Sequence, residues 1–316
     1  MDNLTHGLLG AAIGMLRLRD GGPERDRPVS HTDKAVVWAA FIASELPDGD
    51  IFFGEGPMDY LRIHRGLSHG LVVAPLLALA AAMVTKLVWR QARFWTVFAW
   101  SLVSVVLVHL FPDWLTGWGS QLLQPFSAAK LGLDWVPIVD WLALLALLPA
   151  VLAAWRKPRL RRKLTAGVLA FVAVYWLGYR GIAHTLVDGQ VAERYDGQPV
   201  VQQRVSPNLF NPLAWEYVVD LGDRYELGKG YAWGLAEGVR SVPKAPADDV
   251  IQAVRTAPEL KPFFDHFFYP VMTYTKVPDG FAVELGDVRY EASGRGMRYS
   301  VLLSPDLKVI SVGGGF

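Results

Sequence analysis

Four stretches of this chain, Gly70–Trp89, Phe94–Pro112, Trp135–Trp155 and Leu164–Ala183, each approach the roughly 20 apolar residues a helix needs to cross hydrocarbon. In lipid the backbone must satisfy its own N–H and C=O groups, so such runs fold as helices. Two shorter stretches, Leu4–Leu18 and Lys34–Pro47, read as membrane-embedded helices that either span or stop part-way. The expected architecture is therefore an α-helical polytopic membrane domain of four to six membrane-embedded helices over residues 1–184. A small α+β soluble domain follows at 185–316.

Composition agrees with that class. Hydrophobic residues make up 52% and charged residues only 19%, below the roughly 25% charged of soluble domains. The net charge of +1 gives no bias toward nucleic acid, and no nucleic-acid partner is expected. There is no cysteine, which removes disulfides, thiolate metal sites and cysteine nucleophiles together. Any metal must be held by nitrogen and oxygen. No basic stretch precedes the first apolar run, so it does not read as a cleaved signal peptide.

Lys and Arg in short loops stay on the cytoplasmic side. Arg17, Arg19, Arg25, Arg27 and Lys34, then Lys86, Arg90 and Arg93, then Arg156, Lys157, Arg159, Arg161, Arg162 and Lys163 crowd alternate connections. The opposite connections hold Arg62, Arg65 and Lys130. With six crossings, both termini and the C-terminal domain lie on the outer, periplasmic side of an inner membrane.

That orientation gathers seven metal-compatible residues on one face: His6, Asp48, Asp50, His64, His69, His109 and Asp113. Imidazole mixed with carboxylate is the donor set of a catalytic zinc-type ion. His109 and Asp113, four apart, lie about 40° from each other around a regular helix, although Pro112 between them implies a kink or a helix end. His64 and His69, five apart, sit about 140° around a helix and share an ion only if Gly66 breaks the turn. Pro47-Asp48-Gly49-Asp50 reads as a turn presenting two carboxylates, with Asp50 a ligand or a general base. His184 is a reserve ligand, His31 and His266 read as structural, and Asp140 and Arg180 read as a buried pair or as groups orienting a ligand.

Met1-Asp2-Asn3-Leu4-Thr5-His6, Pro47-Asp48-Gly49-Asp50, the His64–His69 block, His109–Thr116 and Ser206–Trp215 together resemble the LexA-regulated, inner-membrane-associated metal-dependent hydrolase family (YdjM-like). The resemblance implies a membrane-bound hydrolase without a settled substrate. More distantly, the order His6, Asp48, His64 or His69, then His109 with Asp113, is similar to zinc-dependent phospholipase C and single-strand nucleases of the P1 type. No histidine lies between Asp113 and His184, so the later ligands of a three-zinc cluster have no counterpart. One or two divalent ions, zinc before others, are expected.

The chemistry expected is metal-activated water, with His6, Asp48, His64, His109 and Asp113 as the preferred ligands and Asp50 and Arg65 as catalytic groups. Arg65 offers a planar fork for a phosphate oxygen, which favours a small-molecule or lipid phosphoester at the bilayer. No nucleophile elbow, P-loop, dinucleotide fingerprint or His-Glu-x-x-His is present. The competing expectation is a non-catalytic metal-binding or transport protein. Transport asks for ionisable groups at mid-membrane, and these apolar runs are clean apart from Asp140 and Arg180. In the C-terminal part, short β-favouring runs at Val200–Val205, Tyr217–Asp220, Val271–Lys276, Phe281–Leu285 and Tyr299–Leu303 alternate with breakers, a helix is expected near Ala247–Thr256, and Gly313–Gly315 reads as a flexible end.

Overall fold

A computed structural model describes residues 1–18, 29–245, 247–291 and 297–315. Of the basic residues used for orientation, Arg19, Arg25 and Arg27 lie outside them. The chain divides into two units, Met1–Asp50 with Arg65–His184 and Ser206–Pro212, and Ile51–His64 with Thr185–Val205 and Leu213–Phe316.

The first unit is helical. In chain order its helices are α1 (Asn3–Met15) and α2 (His31–Glu45), then, after α3 (Pro57–Ile63) of the second unit, α4 (Ala74–Val88), α5 (Phe94–Val103) and α6 (Phe111–Leu115). They continue as α7 (Trp141–Arg156), α8 (Arg161–Ala173) and α9 (Gly181–Arg194), the last shared with the second unit. Two π-helical turns, Ser104–Leu110 and Val174–Arg180, join α5 to α6 and α8 to α9 into continuous rods.

These rods, Phe94–Leu115 at 22 residues and Arg161–Arg194 at 34, are long and apolar enough to cross a membrane. A third crossing is available if Pro57–His69 and Ala74–Val88, bent by 80°, count as one broken span. The expectation of four to six spans is therefore reduced to two or three. Apolar length overstated helix length for local reasons. Residues 70–73 turn rather than extend α4, leaving it 15 residues. Asp140 accepts from the N–H groups of Leu142 and Ala143, so α7 begins only at Trp141 and has 16 residues. The first two helices reach 13 and 15 residues.

Small residues let the helices approach. A Cβ added to Gly7, Gly10 or Gly14 on one face of α1 would meet α2 at Phe41, Ser44 and Val37 within 2.8, 2.4 and 2.7 Å. Close backbone approach of this kind is how helices pack where lipid removes the hydrophobic drive. Leu9, Val108, Leu115, Val136, Leu147, Val172 and Trp176 pack one buried cluster; Ala43, Ala74, Ala78, Val105 and Leu110 belong to another. Outward-facing Leu76, Leu87, Leu145 and Val174 stay exposed, as lipid-facing side chains do.

The second unit is sheet-rich. One sheet runs β1 (Gln202–Pro207), β2 (Ala214–Asp220), β3 (Arg224–Tyr231), β4 (Gly234–Leu235), with β5 (Arg240–Pro243) also on β3. The other runs β6 (Pro270–Val277), β7 (Gly280–Asp287), β8 (Arg298–Leu303), β9 (Val309–Gly315), all antiparallel. The expected helix is α10, Asp249–Thr256, capped by Asp248. Two readings change. Gly313–Gly315 is paired strand, with Gly314 at φ 91° opposite Tyr299, not a flexible end. The central strand β3 went unread because Gly228, Lys229 and Gly230 dilute its pattern; a Cβ at Gly228 would fall 2.2 Å from the Tyr217 ring.

Candidate metal centre

Each imidazole of the first unit's centre is fixed by what its Nδ1 meets. Helix α2 ends at Glu45, so the Ser44 carbonyl is among the terminal acceptors left without a helical donor. His109, on the π-helical turn, places Nδ1 2.6 Å from it. In α-helical register the Val108 carbonyl would accept from residue 112, but Pro112 has no N–H. That carbonyl instead lies 3.0 Å from His6 Nδ1.

His69 ends a short 3₁₀ turn, Leu67–His69. The one hydroxyl hydrogen of Ser68 goes to Asp50 Oδ2 at 2.6 Å, so Ser68 Oγ accepts from His69 Nδ1 at 2.9 Å. Asp50 Oδ2 also accepts the Arg65 backbone N–H at 3.0 Å and stands 3.5 Å from His69 Nδ1. Arg65 holds a left-handed φ of 60° to make this turn.

With all three Nδ1 atoms donating to oxygen, the geometry assigns all three Nε2 atoms as bare lone pairs in the neutral ring. His69 Nε2 and His109 Nε2 face each other at 3.1 Å. Asp48 Oδ1 lies 3.3 Å from His69 Nε2 and 3.5 Å from His109 Nε2. Asp113 Oδ2 lies 3.2 and 3.5 Å from the same two atoms. One acceptor from each of Asp48, His69, His109 and Asp113 falls within 4.8 Å of the others. Asp48 Oδ1 and Asp113 Oδ2 are buried with no hydrogen-bond partner. With the rings neutral, four converging acceptors repel one another, and a cation at their centre, whether a metal ion or a proton on His69, removes the cost. Tetrahedral bonds of about 2.0–2.2 Å give edges of about 3.4 Å, and the five separations above lie close to that.

Asp113 Oδ1, the carboxylate's other oxygen, points away from this cluster's lone pairs. It meets Arg65 Nη2 at 3.0 Å, His6 Nε2 at 3.3 Å and the amine of Met1. Arg65 Nη1 donates to Thr116 Oγ1 at 2.8 Å, and Thr116 Oγ1 in turn donates to the Asp113 carbonyl at 2.8 Å. His6 stacks on His109 with ring centres 4.0 Å apart. Burial, then His109 beside it, push His6 down to about 3, so it is neutral. Burial works to raise the Asp48 carboxyl, but His109 and His69, where they carry a proton at Nε2, override it and hold Asp48 well below the usual carboxylate range.

Of the residues singled out in the sequence, Asp48, His69, His109 and Asp113 thus come together directly. His6 and Asp50 sit one contact behind them. Arg65 is 2% exposed with two of its nitrogens committed to Asp113 and Thr116, which differs from an open phosphate fork. His64, the expected ligand, is replaced in the group by His69; His64 itself falls in the second unit and stacks on Tyr60 at 4.9 Å. His184 is half-buried outside the four-acceptor group, His31 is exposed, and His266 is buried against Phe267. Asp140 caps α7 and accepts from Trp176 Nε1, while Arg180 donates to the Trp135 and Pro212 carbonyls. Sequence reasoning passed over Ser44, Ser68, Val108 and Thr116. Pro112 was the available signal for Val108, since it marks a carbonyl four residues earlier that lacks its helical donor.

A family model described as YdjM inner membrane protein matches residues 1–187, which include every residue of this centre. Over 305 residues the chain is 23% identical to the Bacillus subtilis (strain 168) protein described as Uncharacterized protein YfhP, covering 93% of this chain and 88% of that one. No solved structure matches. The distant likeness to phospholipase C and P1-type nucleases is not confirmed by these matches.

Proposed function

The chain belongs to the YdjM inner membrane protein family, and from that premise we propose that it is a membrane-bound metal-dependent hydrolase. Its ion is a divalent cation of the zinc type, and its substrate a phosphoester or lipid-like ester at the outer interface of the membrane. The observation that carries this reading is the set of four buried residues, Asp48, His69, His109 and Asp113, whose ligand atoms converge within 4.8 Å of one another. Tetrahedral spacing and a nitrogen–oxygen donor set favour zinc over magnesium or calcium, which prefer six or more oxygens.

When bound, such an ion lowers the pKa of a coordinated water and polarises the scissile group. The protein's own residues supply the rest. Ser44, Ser68 and Asp50 hold two imidazoles with Nε2 inward. Asp48, at 5% exposure, is the least buried of the four and marks the side from which water and substrate arrive. Arg65 Nε is buried without a partner and remains a donor for a substrate oxygen. The proposed periplasmic orientation of the centre rests on Lys86, Arg90 and Arg93 just before the rod Phe94–Leu115, whose far end carries His109 and Asp113.

One observation favours a second reading. His69, His109 and Asp113 are fully buried, and four protein ligands close a tetrahedron as structural sites do. In that reading the ion ties the 3₁₀ segment Leu46–Phe53, the Leu67–His69 turn and the rod Phe94–Leu115 together without catalysis. Purified protein assayed against phosphodiesters, phosphomonoesters and lipids, with metal analysis alongside, decides between them. Hydrolysis lost with the metal supports the enzyme. A stoichiometric ion that raises thermal stability, with no turnover across the panel, supports the structural reading. Metal content unchanged by His109→Ala and Asp113→Ala sinks both.

A further inference from the structure

We infer that the centre takes one divalent ion and not two, because the Arg65 guanidinium serves as a resident second cation on the far oxygen of Asp113. The inference rests on the metal reading above and fixes its stoichiometry.

Two-metal hydrolase sites place their ions about 3.5–4 Å apart, and a second ion would need a bridging or facing ligand. Asp113 is the candidate bridge, since Oδ2 faces the four-acceptor cluster while Oδ1 faces His6 Nε2 at 3.3 Å. That second position is taken. Arg65 Nη2 sits 3.0 Å from Oδ1, the Met1 amine touches the same oxygen, and Thr116 Oγ1 holds Nη1 at 2.8 Å. The arginine cannot swing away cheaply. It is 2% exposed, its N–H is tied to Asp50, and its carbonyl accepts from the Gln121 N–H at 2.9 Å.

Charge leads to the same count. Among the groups of this buried centre, Asp48, Asp50 and Asp113 carry three negative charges, Arg65 one positive, and the Met1 amine a second when protonated; the imidazoles count as neutral ligands. One divalent ion brings the sum to between zero and +1, and a buried region tolerates little net charge. A second divalent ion would bring it to between +2 and +3.

The test uses the full-length protein in detergent, stripped of metal and titrated with Mn²⁺, with bound ion counted and the paramagnetic spectrum recorded. One Mn²⁺ per chain with an isolated six-line spectrum is expected. Two per chain, or a spin-coupled pair, overturns the inference while leaving the metal reading intact; binding of none removes both. Arg65→Lys, which keeps the charge, is expected to hold one ion. Arg65→Gln uncovers Oδ1 beside His6 and is expected to admit a second Mn²⁺ as its concentration is raised. A folded Arg65→Gln protein that stops at one ion overturns the role given to the guanidinium. If that variant does not fold, the wild-type count and spectrum still decide.

Discussion

Asp50 accepts from the Arg65 N–H and from Ser68, whose oxygen in turn orients His69. Groups in that position tune a metal site without touching the ion, and their loss costs about 10–100-fold in affinity. Asp50→Ala is accordingly expected to weaken zinc binding by that order in a chelator competition. Ser68→Ala should cost less, because Asp50 still stands 3.5 Å from His69 Nδ1. Unchanged affinity in Asp50→Ala would make Asp50 a bystander. Glu45 offers a test by pH. Burial, with Asp48 and Asp2 nearby, outweighs a hydrogen bond from Asn3 and raises its carboxyl to about 7, and its Oε1 is buried without a partner. The folded pKa lies above the unfolded value of 4.5, so folding is penalised increasingly as pH rises from 4.5 to 7, and fully above 7. Metal-free Glu45→Gln protein should therefore melt above wild type at pH 8 and with it at pH 4. Parallel melting curves at both pH values would remove the assignment.

At the level of helices, the centre depends on how closely α1 lies on α2. Gly10→Ala puts a methyl 2.4 Å from Ser44 Oγ and 2.8 Å from the Ala40 carbonyl, which is backbone and cannot step aside. A cost of about 1–3 kcal/mol is expected from overpacking of this kind, read by denaturation in detergent, together with weaker metal binding as Ser44 shifts under His109. Gly167→Ala on α8, where nothing lies within 4 Å, is the control and should be neutral or slightly stabilising. Equal effects of the two changes would mean that α1–α2 spacing does not govern the site. These contacts also show what could be read in advance. Asp48, His69, His109 and Asp113 stand out in sequence because polar groups beside apolar runs are few. His64 could not be separated from His69, because the choice turns on the left-handed φ at Arg65, and an arginine gives no warning of it. Arg65 itself advertises charge and reach, not burial. Helix ends were overrun because apolar runs continue through turns: residues 70–73 and 135–140 are as apolar as helix, and only the cap at Asp140 reveals the start of α7.

For the molecule as a whole, two or three crossings instead of six make sidedness the open quantity. The chain has no cysteine, so single introduced thiols report cleanly. A cysteine at Lys157, between α7 and α8, is expected to resist an impermeant reagent on intact cells if the 16-residue α7 also crosses, and to react if it does not. One at exposed Trp233, in the sheet-rich unit, is expected to react. Labelling at Lys157 alone would reverse the orientation of the sheet-rich unit. The Ser206–Pro212 segment raises a second whole-chain point, for it belongs to the helical unit although sheet strands surround it in sequence. Ser206 Oγ meets Asp134 at 3.2 Å, and the Pro212 carbonyl accepts from Arg180.

The residues of the four-acceptor group come from three segments made at different times: Asp48 after α2, His69 in the short 3₁₀ turn, and His109 with Asp113 on the rod Phe94–Leu115. Asp48 emerges from the ribosome well before Asp113, and at about 5–20 residues per second the interval is on the order of seconds. Until the rod Phe94–Leu115 is inserted beside α2, there is no pair of imidazoles for an ion to join. If the centre takes an ion as proposed, loading is a late event in biogenesis, and occupancy doubles as a record that insertion went to completion. A chain stalled after the third helix would be passed over by the metal pool and left for proteolysis.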